Sequence, residues 1–458
     1  AAGNFTKQIN NNGAIDEAIA TDEDFKSVDP FVPKQNIQHT KLVTDNSFNI
    51  GSQRLTLNVG YQRNQRMEFG NVLNPGEKNL SFDLRTVNYN VQYHLNEQNG
   101  LKTSFGVNGM QQTSKNAGVE MLIPEYDLFD IGAFIFSQKR FEKLTLSVGA
   151  RFDNRTLNFN KNKKDFSNFS GSAGVSYEAS STVTLKFNLA RGFRAPGIPE
   201  LASNGAHEGT NRFEYGQLNL KSERSIQADA GIELNSEHIS FTGSLFLNSI
   251  KDFVFYRKLE SANGGDSIIS DQGNDFFAFE FDQSNAKLYG GELIFDIHPH
   301  PLDWLHIENS FSFVRGILSE EQDGSKNLPF IPAARLVNEV KGDFFKKGKA
   351  FRNLYVRVEL DNTFTQNHPF SGFNTETKTQ GYSLLNAGMG ADIMHKDKML
   401  FNFSLSANNI TDVAYQNHLS RLKYAPINPV NGKVGVFNMG RTFSLKINVP
   451  FNLKKVPA

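Results

Sequence analysis

The chain has 458 residues, and its 48 Lys and Arg residues balance 48 Asp and Glu residues, so the formal net charge is zero. That balance provides no electrostatic basis for nucleic-acid binding. Cysteine is absent, which excludes a disulfide framework and any cysteine metal site. No run approaches the roughly 18 apolar residues of a transmembrane helix, but a membrane β-barrel stays open because only alternate residues of its strands are apolar.

The N-terminal stretch, beginning AAGNFTKQINNNG, has neither the charged region nor the apolar region of a signal peptide. It also shows no repeating apolar pattern, so we expect no structured start. From Ile37 to Phe451 an alternation of apolar and polar residues dominates, and template matching gives about seventeen strands. Many are ten residues or longer, which exceeds globular strands and suits tilted membrane strands of about 9–11 residues.

Four stretches show the alternation clearly. Apolar residues occupy every second position, with polar residues between them, in VTLKFNLA (183–190), LHIENSFSF (305–313), LYVRVELDN (354–362) and LFNFSLSANN (400–409). Because successive side chains of a strand point to opposite faces, this pattern predicts a sheet with one apolar and one polar face.

The connections between strands fall into two classes that alternate along the chain. The short ones are Gly51–Gln53, Asn96–Gly100, Lys139–Lys143, Glu178–Ser181, Asn235–His238, Pro299–Asp303, Lys346–Ala350 and Lys396–Lys398. The long ones are Glu68–Asn79, Ser114–Ile123, Asn154–Asp165, Arg191–Glu223, Arg257–Ser284, Leu318–Leu328, His368–Gln380 and Asp412–Lys433. Short periplasmic turns alternating with long extracellular loops are typical of an up-and-down membrane barrel.

The strand number decides which face points inward. A barrel this wide cannot fill its interior with side chains, so its lumen is wet or plugged and the polar face lines it. We expect Lys186, Glu308, Arg357, Glu359 and Lys446 to face the lumen and the apolar residues to face lipid. The predicted fold is all-β: a transmembrane, antiparallel, up-and-down β-barrel.

Several motifs resemble one family, the TonB-dependent outer-membrane receptors. ARGFRAPGIPEL (190–201) followed by FEYGQLNLKSERS (213–225) is similar to that family's strand-loop-strand signature. LYGGELIFDIHP (288–299) resembles its G-x-E strand. ANNITDVAYQNHLSRLK (407–423) and GRTFSLKINVPF (440–451) look like its last two strands.

The resemblance implies a barrel of about 22 strands closed around an N-terminal plug domain. Neither the plug nor the energy-coupling box that binds TonB has a counterpart here, and the first strand corresponds to roughly the sixth of the family. We therefore expect a C-terminal portion of such a barrel, with an open edge and no transport by itself. Residues 1–36 would be an extracellular loop segment, and residues 37–458 the transmembrane barrel.

The implied function is active transport of a scarce nutrient across the outer membrane of a Gram-negative bacterium, with no bond chemistry and no cofactor. The expected substrate is a ferric siderophore, another metal chelate or a metal ion. Implied partners are the TonB–ExbB–ExbD complex, acting through the missing plug, the barrel-assembly machinery and outer-membrane lipid. A passive porin-like channel or a surface-binding barrel is the alternative. No G-x-S-x-G turn supports a barrel enzyme.

The candidate ligand residues lie in two long loops. His207, Glu208, Arg212 and Tyr215 offer imidazole, carboxylate, guanidinium and phenol groups in the loop 191–223, and arginine suits an anionic chelate. In the last loop, His418 and Arg421 either meet the same ligand or pack on a neighbouring loop.

A second set is expected to be structural. The resemblance makes Arg194, Pro196 and Glu223 anchors of the long loop to the barrel rim. Gly440 and Arg441 open the last strand, and Phe451 is the terminal aromatic residue that the assembly machinery recognises. His298 and His300 are interpreted as parts of a structural turn, and the other histidines show no metal-ligand spacing. No metal site is predicted.

Overall fold

The structure is a computed structural model that describes residues 6–207, 212–271, 274–424, 427 and 432–451. The strands are β1 Thr6–Asn11, β2 Ala14–Ile19, β3 Lys34–Ile50, β4 Gln53–Phe69, β5 Leu80–His94, β6 Leu101–Asn116, β7 Tyr126–Arg140, β8 Leu144–Phe159, β9 Asn162–Glu178, β10 Val183–Arg194, β11 Asn204–His207, β12 Arg212–Tyr215, β13 Glu223–Asn235, β14 Ile239–Lys258, β15 Ile268–Asp271, β16 Asn274–Ile297, β17 Leu305–Gln322, β18 Ser325–Asn327, β19 Arg335–Phe344, β20 Phe351–Thr363, β21 Tyr382–His395, β22 Lys398–Asn408 and β23 Thr442–Asn448. Two short α-helices, α1 Asp22–Lys26 and α2 Ile198–Ala202, and two 3₁₀ turns, Gly372–Asn374 and Arg421–Tyr424, complete the elements.

In the described part of the chain, seventeen long strands form the barrel wall, and each pairs antiparallel with the next in sequence. They are β3 to β10, β13, β14, β16, β17 and β19 to β23. The predicted fold class, an antiparallel up-and-down β-barrel, is confirmed. No plug domain is present among these residues.

The alternation seen in the sequence separates the two faces of the wall. On β20, Val356 and Val358 are exposed on the outer face. Between them, Arg357 extends Nη1 to Glu339 Oε2 at 2.8 Å across the β19–β20 ladder. Opposite charges on neighbouring strands thus neutralise one another on the inner face. The expected apolar exterior and polar interior follow from this arrangement.

The strand order is that of a closed barrel, with β23 next to β3, so the predicted open edge is wrong. The described registers pair β3 with β4 and β23 with β22. Most residues of β3 and β23 are exposed on both faces, unlike those of the strands between them. The seam between these two strands is therefore the least covered part of the wall.

One predicted long loop, Asn154–Asp165, is wrong, and two others are partly strand: β16 begins at Asn274 within Arg257–Ser284, and β17 continues to Gln322 within Leu318–Leu328. Strands β8 and β9 continue to a two-residue turn at Asn160 and Lys161, both with positive φ (43° and 63°), as a tight type I′ hairpin requires. Polar and charged residues in this stretch suggested a loop. However, Leu157, Phe159 and Phe166 are buried against neighbouring connections, and this burial favours extended strands.

The N-terminal segment is structured, contrary to expectation. Strands β1 and β2 form a separate two-stranded hairpin, and α1 begins with a capping box between Thr21 and Asp24. An ion pair between Lys7 and Asp24, 2.6 Å long, joins the hairpin to the helix. The first barrel strand begins at Lys34, three residues before the predicted Ile37.

The outer face of the wall is a broad apolar surface. Leu245 is 64% exposed, and the outward residues of many other strands are exposed to a comparable degree. A contiguous apolar surface of this extent is unfavourable in water and matches the lipid-facing band of a membrane barrel. Among the described residues, no helix is both long and apolar enough to cross a membrane.

We expect Leu245→Arg to destabilise the barrel by about 2–4 kcal/mol, because it places a charge on the lipid face midway along a spanning strand. The matched control is Ser244→Arg, its neighbour on the opposite face, where the new charge meets Glu292 across the ladder. Urea unfolding in lipid vesicles, followed through the single tryptophan, Trp304, measures both. Equal losses in the two variants would contradict the assignment of faces.

Candidate ligand-binding site at the long-loop end

The longest connection, between β10 and β13, folds back onto the barrel. Helix α2 buries Ile198 and Leu201 in an apolar cluster with Leu157, Val254 and Phe281. Pro196 is fully buried at the start of this connection. The connection is therefore a packed lid on the barrel rim, not an exposed insert.

Arg194 joins the two ends of the connection. Its Nε and Nη2 donate to the two oxygens of Glu223 at 2.9 and 2.6 Å, and its Nη1 donates to Glu200 at 2.8 Å. Glu223 also accepts from the backbone N–H of Val254 at 2.8 Å. A bidentate guanidinium–carboxylate pair fixes direction as well as distance. It therefore sets the angle at which the connection leaves the rim.

Within the connection, β11 and β12 form a hairpin, and β12 pairs in parallel with the N-terminal part of β16. The register places Arg212 opposite Phe277 and Tyr215 opposite Glu280. Parallel pairing of segments so distant in sequence is specified by tertiary packing, not by local pattern. The result is that Arg212 lies beside the aromatic residues of β14 and β16.

Arg212 is the centre of what we call the arginine–aromatic cluster, formed by Arg212, Arg421, Tyr256, Phe279 and Phe330. Its guanidinium lies 4.3 Å from the ring centre of Phe279 and within 6 Å of the rings of Tyr256 and Phe330. The residue is only 7% exposed, and its Nη1 has no hydrogen-bond partner in the described part of the chain.

Arg421 brings a second cation to this cluster from the last long loop, and its guanidinium lies 5.7 Å from the Phe330 ring. Burial lowers the pKa of Arg212 to about 10, and the charge of Arg421 adds to that shift, whereas Glu214 opposes it. The Tyr256 hydroxyl donates to Glu214 at 3.4 Å. Arg212 is therefore a buried cation that lies near both the exposed Arg421 guanidinium and the buried Glu214 carboxylate.

His418, predicted beside Arg421, lies in a different environment. Its Nδ1 is 2.8 Å from the Thr379 hydroxyl and 3.3 Å from Lys423 Nζ, and its Nε2 is 3.5 Å from Glu376. His418, Lys423 and Glu376 are all buried. Glu376 in turn accepts from the backbone N–H of Phe330 at 3.1 Å. This buried group joins the last loop to the preceding one and positions Phe330.

The remaining predicted ligand residues are dispersed or outside the description. His207 pairs with Arg212 in the β11–β12 ladder, but its side chain lies outside the described residues, as does Glu208 entirely. Tyr215 packs on Phe213 with ring centres 5.0 Å apart. The sequence did not single out Phe279, Phe330 or Tyr256, because each looks like an ordinary aromatic residue of a strand or loop.

The C-terminal signature residues lie at the base of the last loop. The backbone N–H of Arg441 donates to Asp412 Oδ1 at 2.8 Å. A Cβ added at Gly440 would lie 2.6 Å from the same oxygen, so a larger residue there would require the Asp412 side chain to move. Phe451 is highly exposed and lies three residues beyond the end of β23.

The fold and the apolar exterior define a membrane β-barrel. A profile of the family described as TonB dependent receptor-like, beta-barrel, matches residues 3–410. The chain belongs to this family, and the predicted family membership is confirmed.

Solved structures of similar fold are receptors and transporters, not enzymes. The copper transporter OprC superposes with a TM-score of 0.71 at 16% identity, over 91% of this chain and 66% of that one. The FrpB iron transporter from Neisseria meningitidis (F3-3 variant) gives 0.66 at 14% identity, over 90% and 62%. The ferric yersiniabactin uptake receptor FyuA from Yersinia pestis gives 0.60 at 14% identity, over 91% and 62%.

At these identities the likeness establishes the fold alone. The chain spans between 62% and 66% of the length of these three structures.

We expect Arg194→Ala to destabilise the barrel rim, because it leaves the carboxylates of Glu200 and Glu223 without their shared cation. The Arg194 side chain is 44% exposed, so solvent screening limits the cost to about 1–3 kcal/mol. Urea unfolding and heat-modifiable gel mobility report the loss. Arg224→Ala, in the exposed neighbour of Glu223, is the control, and an equal effect there would rule out the rim pairing as the cause.

Proposed function

We propose that the protein containing this chain is an outer-membrane active transporter of a Gram-negative bacterium that binds an anionic metal chelate, such as a ferric siderophore, at its long-loop end. One observation carries the substrate class: Arg212 is buried against aromatic rings, and its Nη1 has no hydrogen-bond partner among the residues that the structure describes. A buried cation without a full set of partners is costly, and an anionic ligand would supply them.

The position of the cluster supports the same conclusion. Its members come from separate long connections and from the strand ends beside them: Arg212 from 195–222, Phe330 from 328–334 and Arg421 from 409–441. Loops carried on a rigid scaffold are where binding residues concentrate. Flat aromatic faces and guanidinium groups together match the planar, negatively charged groups of many chelators.

Energy-dependent uptake is proposed on family membership, and the partners follow from it: the TonB–ExbB–ExbD complex for energy, and the barrel-assembly machinery for insertion. Two assignments from the sequence stay proposals within this function. His207, Glu208 and Tyr215 would add contacts to the ligand, whereas Arg194, Pro196 and Glu223 would hold the loop that carries them. His418 would act by positioning Arg421 and Phe330 through the buried Glu376 group.

We expect Arg212→Gln to weaken binding of ferric citrate, used as an anionic chelate probe, by about ten- to a hundredfold. Loss of one charge-assisted interaction worth about 1.5–3 kcal/mol gives this range. Titration calorimetry on the purified protein measures it, and vitamin B12, which has no net charge, serves as the comparison ligand. Lys326→Gln, an exposed cation in β18 at the same end, is the matched control.

Equal affinity of Arg212→Gln and the unaltered protein for ferric citrate would contradict the binding assignment. The transport assignment has a separate test. Uptake of the same chelate by cells that express the protein should disappear when TonB is deleted. Uptake that persists without TonB would instead indicate a passive channel.

A further inference from the structure

At the opposite end of the barrel, the short turn between β16 and β17 gathers imidazole and carboxylate groups. Asp296 lies near the end of β16, His298 follows that strand, and His306 lies near the start of β17. The ladder pairs Asp296 with Glu308 and Ile297 with Ile307. Residues paired across a ladder share a face, so Asp296 lies on the polar, lumen-lining face with Glu308. Side chains two residues apart on one strand also share a face, so His306 lies there too.

The three side chains converge. One donor atom from each of Asp296, His298 and His306 lies within 4.8 Å of the other two. Asp296 Oδ2 is 3.1 Å from His298 Nε2, and the two imidazole rings stand nearly perpendicular with centres 4.8 Å apart. The sequence interpretation treated His298 as part of a structural turn and His306 as unrelated to it, and the hairpin brings them together.

Two further observations mark this group as a site and not only a packed turn. The second oxygen of Asp296, Oδ1, is buried and has no hydrogen-bond partner among the described residues. The three side chains are also between 22% and 35% exposed, so a small ion can reach them from the lumen.

Charged neighbours surround the group. Asp343 Oδ2 lies 3.3 Å from His306 Nε2 and is itself held by Lys341 Nζ at 2.9 Å. A carboxylate beside an imidazole fixes the orientation of the ring, as outer partners of metal-bound histidines do. Asp343 therefore prepares His306 as a ligand.

We propose that Asp296, His298 and His306 bind a divalent transition-metal ion of the zinc class at the short-turn mouth of the lumen. Two imidazole nitrogens and one carboxylate oxygen suit Zn²⁺, Ni²⁺, Co²⁺ and Cu²⁺, whereas Mg²⁺ and Ca²⁺ prefer all-oxygen sets. Bond lengths of about 2.0–2.2 Å require donor atoms roughly 3.5 Å apart, which small side-chain rotations from the observed spacing provide. Three protein ligands leave one position open for water or a transported ligand.

The site is independent of the function proposed above. It takes a bare cation through imidazole and carboxylate groups, whereas the arginine–aromatic cluster at the other end would take an anion. Failure of chelate binding at the long-loop end would leave this site untouched, and the reverse also holds.

The turn supplies its own controls. His300, two residues from His298, pairs instead with Asp303 at 3.3 Å, and its ring packs against His238 with centres 5.8 Å apart. Neither His300 nor His238 belongs to the group of converging donors. Replacing either histidine changes the imidazole content of the same turn region without removing a proposed ligand.

The test is a titration of the purified, tag-free protein with Co²⁺, whose visible absorption reports nitrogen and oxygen ligands, followed by competition with Zn²⁺. We expect one saturable equivalent, with affinity reduced at least about tenfold in His298→Gln and in His306→Gln. His300→Gln and His238→Gln should bind like the unaltered protein. Heat-modifiable mobility on gels verifies that each variant is folded.

A second measurement needs no substitution. Zn²⁺ should protect His298 and His306, but not His300, from modification by diethyl pyrocarbonate, as read by peptide mass spectrometry. The proposal is overturned if the unaltered protein binds no more Co²⁺ than the double variant His298→Gln/His306→Gln. Equal loss of affinity in His300→Gln, or protection of all three histidines alike, would also overturn it.

Discussion

The structure depends on one constraint: in lipid, every backbone N–H and C=O of the wall must be paired within the protein. The seventeen long strands meet this requirement through continuous antiparallel ladders from β3 to β23. The ladder fixes strand alternation, and alternation then fixes the two faces. Leu245 points outward and Arg357 inward for the same reason, namely that the period of a strand is two.

Once the wall is fixed, its two ends are free to differ. Short turns close one end because antiparallel neighbours need few linking residues. Connections at the other end do not cross the membrane, so they can be longer, pack on one another and contain buried charged residues. Arg194 with Glu223 stabilises the largest connection, and the His418, Lys423 and Glu376 group joins the last two. These contacts give Arg212 and Phe330 fixed positions on segments that would otherwise be mobile.

The sequence predicted the wall well because its signal is local. Alternation in LYVRVELDN or VTLKFNLA needs only a few consecutive residues to be recognised. The sequence prediction failed at Asn160, where polar residues suggested a loop. The structure has a hairpin there, which the buried residues Leu157 and Phe159 stabilise. The arginine–aromatic cluster could not be predicted from the sequence either, because β12 pairs in parallel with β16, more than sixty residues away along the chain. Spacing rules likewise did not single out His298 and His306, because the two histidines meet only across a hairpin.

The side chains at the two ends of the barrel therefore suit ligands of opposite charge. Guanidinium groups and aromatic rings at the long-loop end favour anions with planar groups, and imidazole and carboxylate groups at the short-turn end favour a bare cation. A metal chelate contains both of these partners, an anionic chelator and a cation. Between the two ends, pairs such as Arg357 with Glu339 neutralise charge on the lumen face.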